Sequence, residues 1–163
     1  SDSFLLVRAK ELGVPIYALP ILWIFFHLAK SGGNLLTGGW VHRLGARPLI
    51  WAGWLWYAVV YAAFGFATAA WQIWVLFMLY AVFYALTEPA EKALVATLVC
   101  PERKGLAYGW FNLTIGIGSL PASLLFGVIY DQWGAPAAFG TGAAFALAAS
   151  VMLATVRVMK PVS

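Results

Sequence analysis

Residues 38–47 read GGWVHRLGAR, a basic segment punctuated by glycines, with long apolar runs on both sides. Its glycines allow two helix ends to approach each other and turn. Its arginines, Arg43 and Arg47, would stay with water and lipid headgroups while the flanking runs enter the bilayer. The stretch therefore predicts a short hinge between two membrane-spanning helices.

The composition excludes an ordinary soluble protein. Hydrophobic residues make up 63% of the 163 residues and charged residues only 10%, whereas a soluble domain is about 25% charged. This leaves too little polar surface to coat a water-soluble globule. The net charge of +4 is explained by positive residues in cytoplasmic loops, so it does not indicate a nucleic-acid partner.

Few residues are available for covalent or metal chemistry. The single cysteine, Cys100, excludes an internal disulfide and a multi-cysteine metal site. The two histidines are well separated, and no phosphate-binding glycine loop supports ATP-driven transport. We therefore expect no cofactor, no metal site and no enzyme activity.

Helix breakers and charged clusters divide the chain into apolar stretches. Residues 1–12 read as the end of a helix, stopped by Gly13 and Pro15. A helix needs about 20 apolar residues to cross a bilayer core, and the runs do not alternate as barrel strands do. We expect an all-α polytopic membrane bundle with four complete spans and the end of a fifth. The apolar stretches are 16–37, 48–70, 71–99, 106–130 and 137–156.

Positive charges lie unevenly on the two sides of this predicted bundle. The outer side has Arg8 and Lys10, and the remaining eight of the ten basic residues lie on the other side. Cytoplasmic loops carry the excess of lysine and arginine. We therefore expect a multi-pass protein of the plasma membrane (the bacterial inner membrane) with a cytoplasmic C-terminus. The eight are Lys30, Arg43, Arg47, Lys92, Arg103, Lys104, Arg157 and Lys160.

Residues 38–47 also resemble the signature loop of major facilitator superfamily transporters, which reads G-x-x-x-D-R-x-G-x-R. His42 stands where that family usually carries an acid. The resemblance covers essentially the whole chain, since a signature loop followed by four spans is found in the C-terminal half of such transporters. It implies that residues 1–163 are that half, incomplete at its N-terminus, and that the N-terminal half is its partner. The matching positions are Gly38, Arg43, Gly45 and Arg47.

Polar residues inside the predicted spans are candidates for a solute or proton path. His27, Lys30 and Asn34 share one helix face at spacings of three and four. Asp2 lies about 15 Å from the turn at Leu12, close to the depth of His27. We expect Asp2, His27 and Lys30 to form a buried charged cluster. The alternative is that Lys30 snorkels to the cytoplasmic edge and His27 is an interior residue.

The apolar stretch at residues 71–99 carries a polar stripe that includes Tyr80 and Tyr84. These tyrosines either line the solute path or only pack. Pro89 leaves the carbonyl of Ala85 without its helical donor, which predicts a local bend. The acids of this stretch, Glu88 and Glu91, lie towards its cytoplasmic end, and Glu88 either pairs with Lys92 or serves a gate.

The apolar stretch at residues 106–130 has small residues and Asn112 along one face. Small residues allow helix backbones to approach closely in lipid, so tight packing is the first interpretation. Asn112 is also a candidate for the solute path. The resemblance implies that this helix faces the other half of the transporter. The face contains Asn112, Gly116, Ser119, Ser123 and Gly127.

The resemblance also implies a cytoplasmic gate, in which Arg43 pairs with Glu91 or Glu88. His42 cannot supply the missing acid, because a neutral imidazole carries no negative charge, so we expect a weaker latch. The gate set is Gly38, His42, Arg43, Gly45, Arg47, Glu88 and Glu91.

The resemblance implies transport of a small solute by alternating access, which in many members is coupled to a proton. The alternative is a membrane sensor or assembly scaffold that uses the same helices without transport. Intramembrane charges argue against a passive scaffold. An intramembrane enzyme is a third class, but His27, Glu88 and Glu91 make a poor catalytic set.

Overall fold

The computed structural model describes residues 2–155. This part of the chain contains helices and no strand, which confirms the all-α prediction. Arg157 and Lys160, which enter the orientation prediction, lie outside the described residues. The helices are α1 (Asp2–Glu11), α2 (Ala18–Leu44), α3 (Ala46–Phe66), α4 (Ala70–Thr97) and α5 (Lys104–Thr155), with a 3₁₀ turn at Pro101–Arg103.

Helix α5 bends sharply into two arms. The backbone leaves the helical region at Gly134, where φ is 81° and ψ is 179°, and Pro136 follows. The first arm covers 104–133 and the second covers 135–155. Five long helical segments therefore follow α1, one more than the four complete spans expected.

Three stretches of the described chain are long and apolar enough to cross a membrane, namely Ala46–Phe66, Ala70–Thr97 and Pro101–Thr155. Helix α2 has 27 residues, or about 40 Å at 1.5 Å per residue. Its apolar run is interrupted by His27, Lys30 and Asn34. The bundle thus contains one long helix whose polar residues need partners inside the protein.

Helix α4 lies between α2 and α3, and α3 packs in turn against α5. Fully buried aromatic rings fill the centre of this arrangement. Tyr80 of α4 stacks on Phe26 of α2 with ring centroids 5.6 Å apart, and Phe64 of α3 stacks on Phe139 of α5 at 5.8 Å. Such pairs contribute about 0.5–1.5 kcal/mol each beyond burial. The aromatic core joins the four long helices.

The turn lies within the predicted hinge at residues 38–47 but is shorter than expected, because α2 continues through residues 38–44. Helix α2 ends at Leu44 and α3 begins at Ala46, so only Gly45 lies between them. Its φ of 85° and ψ of 157° fall in a region that is essentially restricted to glycine. A side chain at this position would strain the connection between the two helices.

Pro89 has no amide hydrogen to donate to the carbonyl of Ala85. This carbonyl accepts a hydrogen bond from another helix instead. The hydroxyl of Thr37 on α2 donates to the Ala85 oxygen, and it also lies 3.0 Å from the Gly33 oxygen of its own helix. Gly33 permits this approach, since a Cβ there would lie 2.6 Å from the Cβ of Ala85. The contact holds α2 and α4 at a fixed height relative to each other.

We predict that Thr37→Val lowers the free energy of unfolding by about 1–3 kcal/mol, because it leaves a buried carbonyl unsatisfied. Pro89→Ala restores an amide donor to Ala85, so Thr37→Val should cost much less in that background. Thermal unfolding of the full-length protein in detergent measures both effects as a double-mutant cycle.

Thr114→Val on α5 is the matched control, because the exposed Thr114 hydroxyl bonds only the Trp110 carbonyl of its own helix. We expect it to change stability by less than about 0.5 kcal/mol. An equal cost of Thr37→Val with and without Pro89 would contradict the assigned hydrogen bond.

Candidate functional site

A group of charged side chains joins α2 and α4 roughly halfway along their contact. The Lys30 ammonium lies 3.1 Å from Oε2 of Glu88, and the Asn34 amide donates to the same oxygen at 3.0 Å. Lys92, one turn further along α4, donates to Oε1 of Glu88 at 2.9 Å. The carboxylate of Glu88 therefore has three donors, from two helices.

A second carboxylate, Asp2 on α1, is bound by two tyrosine hydroxyls. Tyr80 donates to Oδ1 at 2.7 Å and Tyr84 donates to Oδ2 at 2.8 Å. Tyr84 also presents its ring to Lys30, whose ammonium lies 4.2 Å from the ring centroid. Tyr84 thus connects the two charged groups, through its hydroxyl on one side and its ring on the other.

The charges of this site balance. Asp2 and Glu88 supply two negative charges, and Lys30 and Lys92 supply two positive charges. Ionisable residues inside membrane helices are costly and pair with each other when they are retained. The side chains of Lys30 and Glu88 are 23% and 27% exposed, so the ion pair is only partly buried within the described residues.

The structure modifies the predicted cluster of Asp2, His27 and Lys30. Asp2 and Phe26 share the neighbour Tyr80 on α4. Tyr84 lies between Asp2 and Lys30, because its hydroxyl binds Asp2 and its ring contacts Lys30. His27 is exposed on α2 and contacts the rings of Trp23 and Phe26. Among residues 2–155, no ion pair joins His27 to Asp2.

Asn112 also lies apart from this site. It is exposed on α5, and its amide donates to the Tyr108 carbonyl of the same helix at 2.9 Å. Gly116 and Ser119 on the same face are exposed, whereas Gly127 meets the ring of Phe4. Only the end of this small-residue face near Gly127 is packed within the described chain.

The expected pairing of Arg43 is not present in this conformation. Among residues 2–155, no ion pair joins Arg43 to Glu88 or Glu91, and Arg43 and His42 are exposed. The reason is that Lys30, Asn34 and Lys92 occupy Glu88. Glu91 is half-buried and lines an apolar groove of about 320 Å³ with Trp54 and Phe111.

Two arginines donate to backbone carbonyls that are distant in the chain, and the sequence did not predict these contacts. Arg47 donates to the Leu153 carbonyl of α5 at 2.6 Å. Arg8 donates to the Ala67 carbonyl at 2.7 Å, immediately after α3. The last carbonyls of a helix lack helical donors and favour positive charge. This preference explains the contact of Arg8, but it does not identify which helix end an arginine reaches.

The part of the chain that the structure describes has no group of three or more His, Cys, Asp or Glu side chains placed to hold a metal ion. The donors and acceptors of the site are ammonium, carboxylate, amide and phenol groups. This arrangement is suited to reversible binding of a polar or charged solute. It contains no paired nucleophile and base.

The fold and the site define a multi-pass helical membrane protein with charged groups inside its bundle. The chain belongs to the Major Facilitator Superfamily, whose family model matches residues 3–163. This family consists of transporters and not of enzymes, which agrees with the expectation from the sequence.

Curated relatives fall in the same family. An uncharacterized MFS-type transporter of Methanocaldococcus jannaschii is 27% identical over 131 residues, which is 80% of this chain and 32% of that protein. The multidrug resistance protein MdtH of Cronobacter sakazakii is 30% identical over 98 residues, 60% of this chain and 24% of that protein. The chain thus spans about a third or less of these relatives. No solved structure gives a significant match to the chain.

We predict that Glu88→Gln destabilises the protein by about 2–3 kcal/mol, because it leaves Lys30 and Lys92 without an anion. This cost is below the ~3–5 kcal/mol of a fully buried pair, since the site is partly exposed. Glu91→Gln is the matched control on the same helix, and we expect it to cost less than about 1 kcal/mol. Thermal unfolding of the full-length protein compares the two, and equal losses would argue against the assigned network.

Proposed function

We propose that residues 1–163 belong to the C-terminal half of a secondary transporter that moves a small solute by alternating access. The observation that carries this proposal is the charge-balanced site formed by Asp2, Lys30, Glu88 and Lys92. Membership of the transporter family supports it. The bacterial inner membrane is the proposed location, in keeping with the bacterial MdtH relatives.

The site supports transport better than the sensor or scaffold alternative. A scaffold needs no carboxylates and ammonium groups inside its helices, and such groups are expensive to insert. Here these groups lie between α1, α2 and α4 and remain partly exposed. A solute that enters between the two halves would reach them without unfolding the bundle, as a carrier requires.

We assign the proposed path between the two halves to the faces of α2 and α5 that the described chain leaves uncovered. His27 on α2 and Asn112 on α5 are exposed there. The N-terminal half of the transporter would cover these faces. Proton coupling, if the transporter uses it, would involve the carboxylates of Asp2 and Glu88, which lie on two different helices.

The signature loop is the proposed cytoplasmic gate. Gly45 forms the turn of this loop, and Arg47 donates to the Leu153 carbonyl of α5. Arg43 is exposed. In a conformation closed on the cytoplasmic side, Arg43 would reach Glu91, which has no ion-pair partner among the described residues. This latch therefore requires a movement of α2 relative to α4.

Flux through the full-length protein in liposomes tests transport against the scaffold alternative. The panel should contain antibiotics and dyes, as the name of MdtH suggests, together with small organic anions and cations. We expect saturable uptake of at least one solute into liposomes that contain the protein, and none into liposomes without it. Folded protein without flux of any solute would favour the scaffold.

We predict that the loop containing Cys100 faces the cytoplasm and that Gln132 faces outward. Both residues are exposed. In intact cells an impermeant thiol reagent should label Gln132→Cys in a Cys100→Ser background and should spare the native Cys100. Opening the membrane should expose Cys100 to the reagent. The reverse labelling pattern would invert the proposed orientation.

A further inference from the structure

We propose that Lys30 is the residue that binds the transported solute, and that the solute is an organic anion with an apolar or aromatic body. This inference rests on the proposed function and adds a substrate class to it. It follows from an asymmetry in how the charges of the site are paired.

The asymmetry lies in the partners that remain when the Lys30–Glu88 ion pair opens. Glu88 keeps Lys92 at 2.9 Å and the Asn34 amide at 3.0 Å, so its carboxylate stays neutralised. Lys30 keeps only the face of the Tyr84 ring among the described residues. Lys30 is therefore the member of the pair that needs a replacement partner.

This difference decides the sign of the ligand. An anion that takes the place of Glu88 gives Lys30 a new partner, and Glu88 remains paired with Lys92. A cation that takes the place of Lys30 would leave Lys30 unpaired inside the bundle, which is unfavourable.

The surroundings of Lys30 indicate the remainder of the ligand. The Tyr84 ring lies against the ammonium, and Phe26 lies 5.8 Å from Tyr84 between ring centroids. Trp23, which is only partly buried, lies two turns before Lys30 on α2 and packs against the buried ring of Phe26. A carboxylate bound by Lys30 would thus place an apolar or aromatic body beside these rings.

Calorimetric titration of the purified full-length protein tests the charge preference. The probes are benzoate, indole-3-acetate and decanoate, with benzylammonium and benzyl alcohol as ring-matched controls of different charge. We expect at least one anion to bind at least about tenfold more tightly than either control, since an ion pair in this site replaces an existing one. Tighter binding of benzylammonium, or no binding of any of the three anions, would overturn the proposal.

Two substitutions of equal size assign the effect to Lys30. Lys30→Met should weaken anion binding by about tenfold or more, whereas Lys104→Met, which removes an exposed ammonium at the start of α5 outside the site, should change it by less than about threefold. Lys30→Arg retains the charge and should bind anions, which separates loss of binding from misfolding. Equal losses for Lys30→Met and Lys104→Met would overturn the assignment.

Flux separates this inference from the proposed function. Anion binding that depends on Lys30, without uptake of any anion into liposomes, would support the site and contradict transport. Uptake of a neutral or cationic solute that is insensitive to Lys30→Met would support transport and overturn the assignment of Lys30.

Discussion

The carbonyl oxygen of Ala85 is the constraint on which the arrangement of α2 and α4 depends. Pro89 has no amide hydrogen to donate to it, and the lipid interior provides no water as a substitute. The hydroxyl of Thr37 supplies the missing donor. Gly33 allows the close approach that this requires, because its missing side chain leaves room for Ala85. A local defect in α4 thus determines where a neighbouring helix must lie.

The position of Thr37 also determines the charged site. Lys30, Asn34 and Thr37 follow each other on α2 at intervals of four and three residues, so they share one face. When Thr37 lies opposite Ala85, the other two face Glu88, one turn further along α4. The hydrogen bond that satisfies a backbone group therefore also sets the register of the ion pair.

Local features could be predicted from the sequence, whereas partners distant in the chain could not. The hinge at Gly45 and the free carbonyl before Pro89 depend only on neighbouring residues. The pairing of Glu88 depends on how α2 is rotated about its axis, and agreement in depth with Arg43 does not determine that rotation. Arg47 and the Leu153 carbonyl are 106 residues apart, and nothing near either residue indicates the contact.

Polar contacts tie helix α1 to α3 and α4. Arg8 holds one part of α1 to the end of α3 through the Ala67 carbonyl, and Asp2 holds its other end to Tyr84 of α4. Helix α1 therefore moves with α3 and α4, whereas the polar ties of α2 to α4 are the Thr37 hydrogen bond and the contacts to Glu88. If a ligand replaces Glu88 at Lys30, one of these ties is weakened while Tyr84 still connects Lys30 to Asp2. If Lys30 binds the solute as we propose, binding is coupled to the position of α2 relative to the remaining helices, and alternating access would use this movement.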